Sequence, residues 1–204
     1  MEEQTRCPVV IRLTRDEKTR EAALALNRAT ILKLYNCVPP LNPHLIFVGM
    51  REGEVVGTIT LDFASDTEPF RIEKTYEFDR ERTPFPFVRT QIAHFGQWMS
   101  TVKGISGPLM YIATMYALRH GKLYAVTELK ERIARRAEEL GWQVHAVKDA
   151  RLLLDRIPEV GRGYYVTPPT PRLVMASLKE KEAALRDRTM DAIFEGKIVL
   201  DFSA

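Results

Sequence analysis

The stretch GKLYAVTELKERIARRAEELGW, Gly121 to Trp142, constrains the fold most strongly, because it reads as a short buried strand feeding a capped, cationic helix. Leu123 to Val126 are apolar and lie between Gly121 and Thr127, as in a central strand covered on both faces. Thr127 has the chemistry of an N-cap. Glu128 and Glu131 suit the positive first turn, Gly141 offers the left-handed C′ position, and Trp142 is an apolar residue just beyond it. Ile133, Ala134, Ala137 and Leu140 mark the inward stripe. Arg132, Arg135 and Arg136 fall at i, i+3, i+4 and therefore share a face. That face admits two readings. It is a solvated surface with Glu131–Arg135 and Arg135–Glu139 pairs, or a docking surface for an acidic partner, to which Arg119, His120, Lys122 and Lys130 add charge.

With 204 residues, 45% hydrophobic and 28% charged, the chain can bury a sizeable core without disulfide, metal or partner, and one domain spanning 1–204 is expected. A net charge of +3 falls short of the dense Lys/Arg composition of nucleic-acid binders and suits a compact anionic partner. Cys7 and Cys37 stand alone, without CxxC or metal-ligand spacing, so reduced thiols and no metal are expected. MEEQTRCPVV carries no long apolar run and no segment reaches membrane-spanning length, so a cytoplasmic location without a membrane span is expected.

Along the chain, a strand is expected over Val9 to Leu13 and a helix over Asp16 to Tyr35, closed by Pro39, Pro40 and Pro43. His44 to Met50 and Val55 to Phe63 form a hairpin around Glu52-Gly53. Asp66 to Pro84 is irregular and covers the sheet edge. Thr90 to Met99 is a strand, and Lys103-Gly104-Ile105-Ser106-Gly107-Pro108 opens a buried helix to His120 that Ser106 caps. A glycine-bearing turn between strand and helix, with free amides and Lys103 beside it, meets the requirements of a phosphate cradle, but such turns are common at helix starts for capping alone, and by itself the turn is weak evidence of a phosphate site. Beyond Trp142 the pattern predicts a strand over Gln143 to Val147, a helix over Ala150 to Ile157, a strand near Tyr164 to Thr167 and a peripheral, charged helix from Leu173 to Phe194.

Hairpin, strand, glycine-bearing turn, buried helix, strand and helix in this order resemble the GNAT superfamily of N-acyltransferases. The run Gly121, Ala125-Val126-Thr127, Glu131-Arg132, Arg135-Arg136, Gly141-Trp142 resembles its autoinducer-synthase-like branch, with its G…VT…ER…RR…GW pattern. Gly57-Thr58-Ile59-Thr60-Leu61 resembles the branch's G-x-x-R-L strand, and Gln91-Ile92-Ala93-His94-Phe95 its E-x-S-R-F strand, the whole covering about Val10 to Thr167. The chain departs from homoserine-lactone synthases at Thr60, Gln91 and His94, where arginine, glutamate and arginine would stand. The closest resemblance is to the long-chain N-acyl amino acid synthases of that branch, including those that acylate tyrosine.

The resemblance implies an α/β (α+β) fold, a GNAT-like mixed central sheet with helices on both faces, and an enzyme that moves a fatty acyl group from acyl carrier protein to the amine of an amino acid. It implies no bound cofactor; the donor is acyl-phosphopantetheine on the carrier. The alternatives are a homoserine-lactone synthase using S-adenosylmethionine and a non-catalytic acyl-carrier or lipid-binding module. Gln97, Trp98 and Met99 would supply backbone contacts to the thioester and pantetheine, and Lys103, Gly104, Ile105, Ser106 and Gly107 would hold the phosphate. Arg119, Lys122, Lys130, Arg132, Arg135 and Arg136 would dock the carrier, and Phe95, Met110 and Met115 would line an acyl tunnel. His94 is the proposed base with Gln91 nearby; Glu73 and Glu77 are the competing carboxylates.

Overall fold

The computed structural model describes residues 7–38, 41–64 and 67–201; Pro39, Pro40, Asp66 and the first six residues named above lie outside them. Strand β1 (Val9–Leu13) leads into helix α1 (Glu17–Tyr35), whose Asp16 cap accepts from the Thr19 amide at 2.8 Å and whose end turns on Asn36 at φ 48°. Strands β2 (Leu45–Arg51) and β3 (Glu54–Phe63) form the expected hairpin, closed by positive φ at Glu52 and Gly53. The covering segment holds a one-turn helix α2 (Arg71–Thr75) and a short strand β4 (Tyr76–Glu77). Strand β5 (Ile92–Ser100), helix α3 (Ser106–Arg119), strand β6 (Tyr124–Leu129) and helix α4 (Glu131–Glu139) follow. The remainder comprises β7 (His145–Ala146), β8 (Arg151–Leu152), α5 (Arg162–Val166), β9 (Arg172–Ser177), α6 (Leu178–Phe194) and β10 (Ile198–Asp201).

Eight strands form one sheet in the order β10-β1-β2-β3-β5-β6-β9-β7, and β4 pairs with β8 apart from it. The β1–β10 and β5–β6 pairs are parallel and the rest antiparallel. Alternation along the strands sorts the side chains. Ile11, Phe47, Ile59, Leu61, Ala93 and Phe95 pack beneath Leu109, Met110 and Ala113 of α3 and Leu178 and Leu185 of α6. On the opposite face, Ile46 and Val48 meet Ala23 of α1, while Ile92, Val126 and Met175 meet Phe70, Ile72 and Tyr76 of the covering segment.

The C-terminal third departs from the sequence expectations. Leu173 to Ser177 is not helix but a strand lying between β6 and β7, and α6 is not peripheral: Leu178, Lys181, Leu185 and Thr189 are buried. Lys181 lies against the rings of Phe95 and Trp142, 3.5 and 3.7 Å from their centroids, and burial pushes its amine well below the usual lysine range. Pairing along all of β9 carries β6 through to Leu129, so Thr127 is in the strand and Lys130 occupies the α4 cap position without a side-chain cap. Tyr164 to Thr167 is expected as strand, but Arg162 to Val166 is a helical turn. Ala150 to Ile157 forms β8 and a 3-10 turn rather than a helix, because Arg151 and Leu152 pair with β4 and the Leu153 amide bonds the Thr75 carbonyl at 2.8 Å. Of Gln143 to Val147, only His145 and Ala146 pair, with β9.

Candidate active site

The β5–β6 ladder stops at His94↔Val126. Beyond it β5 stays with β3 and β6 stays with β9, so the two central strands part. The divergence begins at a bulge: Thr60 faces Gly96 and Thr58 faces Met99, which sets Gln97 and Trp98 against Ile59 alone. Gln97 has φ 45°, an uncommon value for a side-chain-bearing residue. Buried Asn27 of α1 pins it, donating to Gln97 Oε1 at 3.3 Å and accepting from the Thr58 hydroxyl at 2.6 Å.

A cavity of about 580 Å³ fills the gap and crosses the sheet. On the α1 side it is walled by Thr60, Asp62, His94, Arg71, Glu128, Tyr164 and Tyr165; on the α3 side it reaches Phe95, Met110, Leu129, Ile133 and Trp142. One end is polar and ionisable, the other greasy.

Two linked clusters make the polar end. Asp62 and His94 are cross-strand partners, with Asp62 Oδ2 3.4 Å from His94 Nδ1 and Asp62 Oδ1 accepting the His44 amide at 2.7 Å. Burial opposes ionisation of Asp62, but the hydrogen bond and charge of His94 and the His44 amide outweigh it, holding the carboxyl below its ordinary value. Opposite, Glu128 Oε1 accepts from Arg71 at 3.2 Å and from the Tyr165 hydroxyl at 2.8 Å. Desolvation lowers the affinity of Arg71 for its proton, but Glu128, Tyr165 and Asp62 more than restore it, so the guanidinium is held charged. Burial keeps the Tyr164 and Tyr165 phenols protonated. Tyr164 and Tyr165 come together over Glu128 because α5 packs on the end of α1, with Gly163 against the Tyr35 carbonyl and Cys37.

A pH dependence follows from Asp62. A carboxyl depressed on folding contributes stability that is present above its unfolded value, 3.8, and lost as pH falls through the folded value. Urea titrations of wild type and Asp62→Asn are therefore expected to show a stability difference that shrinks below about pH 4.

Of the residues named from sequence, His94, Phe95, Gln97, Trp98, Met99 and Met110 line the cavity. Met115 does not; it packs against the core elsewhere on α3. Gln91 lies on a 3-10 turn before β5, where its carbonyl accepts the Leu123 amide, and it is outside the cavity wall. Glu73 is not available as a base: its carboxylate is held by Arg80 at 2.6 Å, Arg89 at 3.0 Å and the Phe70 amide at 2.9 Å. Glu77 is on the outer surface, paired with Arg151.

The turn at 103–107 also divides. Lys103 and Gly104 are exposed, but Ile105 is buried, reaching the backbone of Gly57, and Gly107 packs against Leu140 and Leu185. Ser106 is the first helical residue and not the cap; its hydroxyl bonds Ser100 and its carbonyl takes the Trp98 indole N–H at 3.0 Å. Among the docking residues, Lys122 and Lys130 are buried. Lys122 donates to the Thr90 carbonyl and Lys130 to those of Thr167 and Pro169, so neither faces a partner. Arg119, Arg132, Arg135 and Arg136 are exposed, Arg135 pairing with Glu131 and Arg136 with Glu139.

Asp62, Arg71, Glu128 and Tyr165 escaped sequence reasoning. Two signals were present: Thr58, Thr60 and Asp62 put polar groups at every second position of one strand, and Glu128 comes one residue, Thr127, after a buried apolar run.

No family model matches the chain, and a search of curated proteins finds no match. Solved structures do share its architecture. BjaI, a CoA-dependent acyl-homoserine lactone synthase bound to SAM and isopentyl-CoA, superposes with a TM-score of 0.64 at 11% identity, covering 95% of this chain and 93% of its own. The acyl-homoserine lactone synthase LasI gives 0.61 at 12% identity, with 89% and 96% covered. FeeM, an N-acyl amino acid synthase from uncultured soil microbes, gives 0.57 at 14% identity, with 95% and 100% covered. The fold is therefore GNAT-like, a mixed sheet with helices on both faces. Within that class the architecture is similar to that of these acyl-homoserine lactone and N-acyl amino acid synthases.

Proposed function

We propose that the chain is an N-acyltransferase that moves a long-chain acyl group from acyl carrier protein to the amine of an amino acid. The observation that carries the reading is the cavity through the parted strands, polar on one face of the sheet and apolar on the other. A fatty thioester fits it with its tail toward Met110 and Trp142 and its carbonyl at the Gln97–Trp98 bulge, where backbone groups leave the ladder and can polarise the thioester. The acceptor amine attacks the thioester carbon, the C–S bond breaks, and the departing thiolate needs little help near neutral pH. His94 takes the proton that the amine sheds. Asp62, held ionised, favours the tautomer in which Nδ1–H faces it and Nε2 is free to accept. The pantetheine phosphate belongs near Lys103 and Gly104, ahead of the α3 amides that no side chain caps.

The test incubates pure protein with acyl carrier protein loaded with fatty acids and a pool of amino acids, and looks for N-acyl products by mass spectrometry. Acyl amino acids support the reading; no product from any pairing removes it. Reversing Arg132 and Arg136 to glutamate is expected to raise KM for the carrier-bound donor about tenfold and leave KM for a short pantetheine thioester nearly unchanged. Equal losses with both donors would make these arginines structural.

A second reading, homoserine-lactone synthesis from S-adenosylmethionine, is favoured by the likeness to BjaI and LasI and by two carboxylates, Asp62 and Glu128, in one cavity. Release of methylthioadenosine from S-adenosylmethionine would establish it.

A further inference from the structure

Two polar groups stand at the greasy end of the cavity. Lys181 of α6 is 0% exposed, and its Nζ lies 3.5 Å from the centroid of the Phe95 ring and 3.7 Å from that of Trp142. Both rings wall the cavity beside Met110. Among the described residues, neither Lys181 Nζ nor the indole N–H of Trp142 has a hydrogen-bond partner. The other indole on the cavity wall, that of Trp98, donates to the Ser106 carbonyl at 3.0 Å, as a buried tryptophan ordinarily does. Ring faces attract an ammonium, but that attraction is small beside the cost of burying a charge without an anion, and burial drives the Lys181 amine toward its neutral form. A methionine or leucine would fill the same space without leaving a buried donor unpaired. Two such donors at the end of an apolar channel point to an acceptor that arrives with the ligand.

We propose that Lys181 and Trp142 form an oxygen-binding pocket at the end of the acyl channel, so that the preferred donor is an acyl chain carrying a hydroxyl or carboxyl group at its far end. The proposal rests on the acyl-transfer reading for the orientation of the chain, with its tail toward Trp142. A neutral amine offers two N–H donors and a lone pair, and the indole adds a further donor. A terminal hydroxyl can accept from either nitrogen and donate to the amine. A terminal carboxyl can pass its proton to the amine, and the ammonium of the resulting ion pair then lies between two ring faces. The flexible four-carbon stem of Lys181 lets Nζ adjust to the length of the chain. A plain hydrocarbon tail meets the same donors and leaves them unpaired.

The experiment offers wild type, Lys181→Met and Trp142→Phe three acyl-pantetheine thioesters of equal chain length, one ending in methyl, one in hydroxyl and one in carboxylate, with the amino acid pool as acceptor. Wild type is expected to use at least one oxygenated donor about tenfold or more better in kcat/KM than the methyl-terminated one, as a site built to hydrogen-bond a group rejects analogues without it. Which oxygenated donor is favoured separates hydroxyl from carboxyl recognition. Lys181→Met, unbranched and close to lysine in volume, is expected to lose the preference, and Trp142→Phe to shrink it about threefold. A wild type that favours the methyl-terminated chain or makes no distinction, or a preference that survives in Lys181→Met, overturns the pocket while leaving acyl transfer intact. Should no donor be turned over, calorimetric titration with non-hydrolysable analogues of the same three thioesters decides separately. Tighter binding of an oxygenated analogue that Lys181→Met abolishes upholds the pocket, whereas equal binding, or a preference that persists in the variant, overturns it. A thermal melt of each variant excludes unfolding as the cause; if Lys181→Met does not fold, the wild-type preference and Trp142→Phe decide.

Discussion

His94→Gln is expected to lower kcat by about 10²- to 10⁴-fold, the range a positioned general base contributes, with little change in KM for the acyl donor. Glutamine keeps much of the volume and hydrogen-bonding capacity of the site, so the sheet around residue 94 should survive; the variant loses only the ability to take a proton. Asp62→Asn should produce a smaller loss, because the imidazole remains but its tautomer is no longer set by a carboxylate 3.4 Å from Nδ1. A His94→Gln enzyme with wild-type kcat would remove the dyad from the mechanism and leave His94 as a packing residue against Phe70.

Gly163→Ala is expected to cost roughly 3 kcal/mol or more and to lower Tm by about 6–12 °C, from a substitution that adds one methyl group. That methyl would overlap the Tyr35 carbonyl oxygen and sit 2.7 Å from Cys37 Cβ. The Tyr35 backbone on one side and the Cys37 side chain on the other give it nowhere to go, so α5 must lift from the end of α1. Tyr164 and Tyr165 would lift with it, and Glu128 would lose the phenol at 2.8 Å. Activity should therefore fall together with stability in calorimetry and steady-state kinetics. An unchanged Tm would mean that the α1–α5 contact relaxes at no cost and that the tyrosines do not depend on it.

The parts legible in the sequence are those whose local signals and tertiary surroundings agree. The β2–β3 hairpin announces itself through Glu52-Gly53 and alternating β-branched residues, and α3 through its unbroken apolar run; both form within a residue or two of expectation. The errors arise where pairing overrides a local preference. Thr127 is a good cap, yet hydrogen bonding to Val174 across the sheet keeps it in the strand. Leu173-Val174-Met175-Ala176 is an apolar run that periodicity cannot assign to strand or helix, and only insertion between β6 and β7 decides it. Tyr164-Tyr165-Val166 has strong β propensity but folds as a helical turn because both rings pack inward, over Tyr35 and Glu128.

The site divides in the same way. His94 and the Gln97–Met99 segment were legible because they sit together on one strand that resembles a known pattern. Asp62 is 32 residues from His94 and Arg71 is 57 from Glu128, so only the register of β3 on β5 and the fold of the covering segment bring them together. The charged candidates Glu73, Lys122 and Lys130 were misread for one reason: a charge in sequence looks solvated until its buried partner is seen.

The account depends on an acyl chain passing between β5 and β6. The most direct measurement is a crystal structure of the protein with a non-hydrolysable long-chain acyl-pantetheine analogue. The account predicts the carbonyl within hydrogen-bond distance of the Gln97–Met99 backbone and the tail running through the gap to Met110 and Trp142. An analogue bound elsewhere, with the cavity between His94 and Glu128 left unfilled, would contradict it.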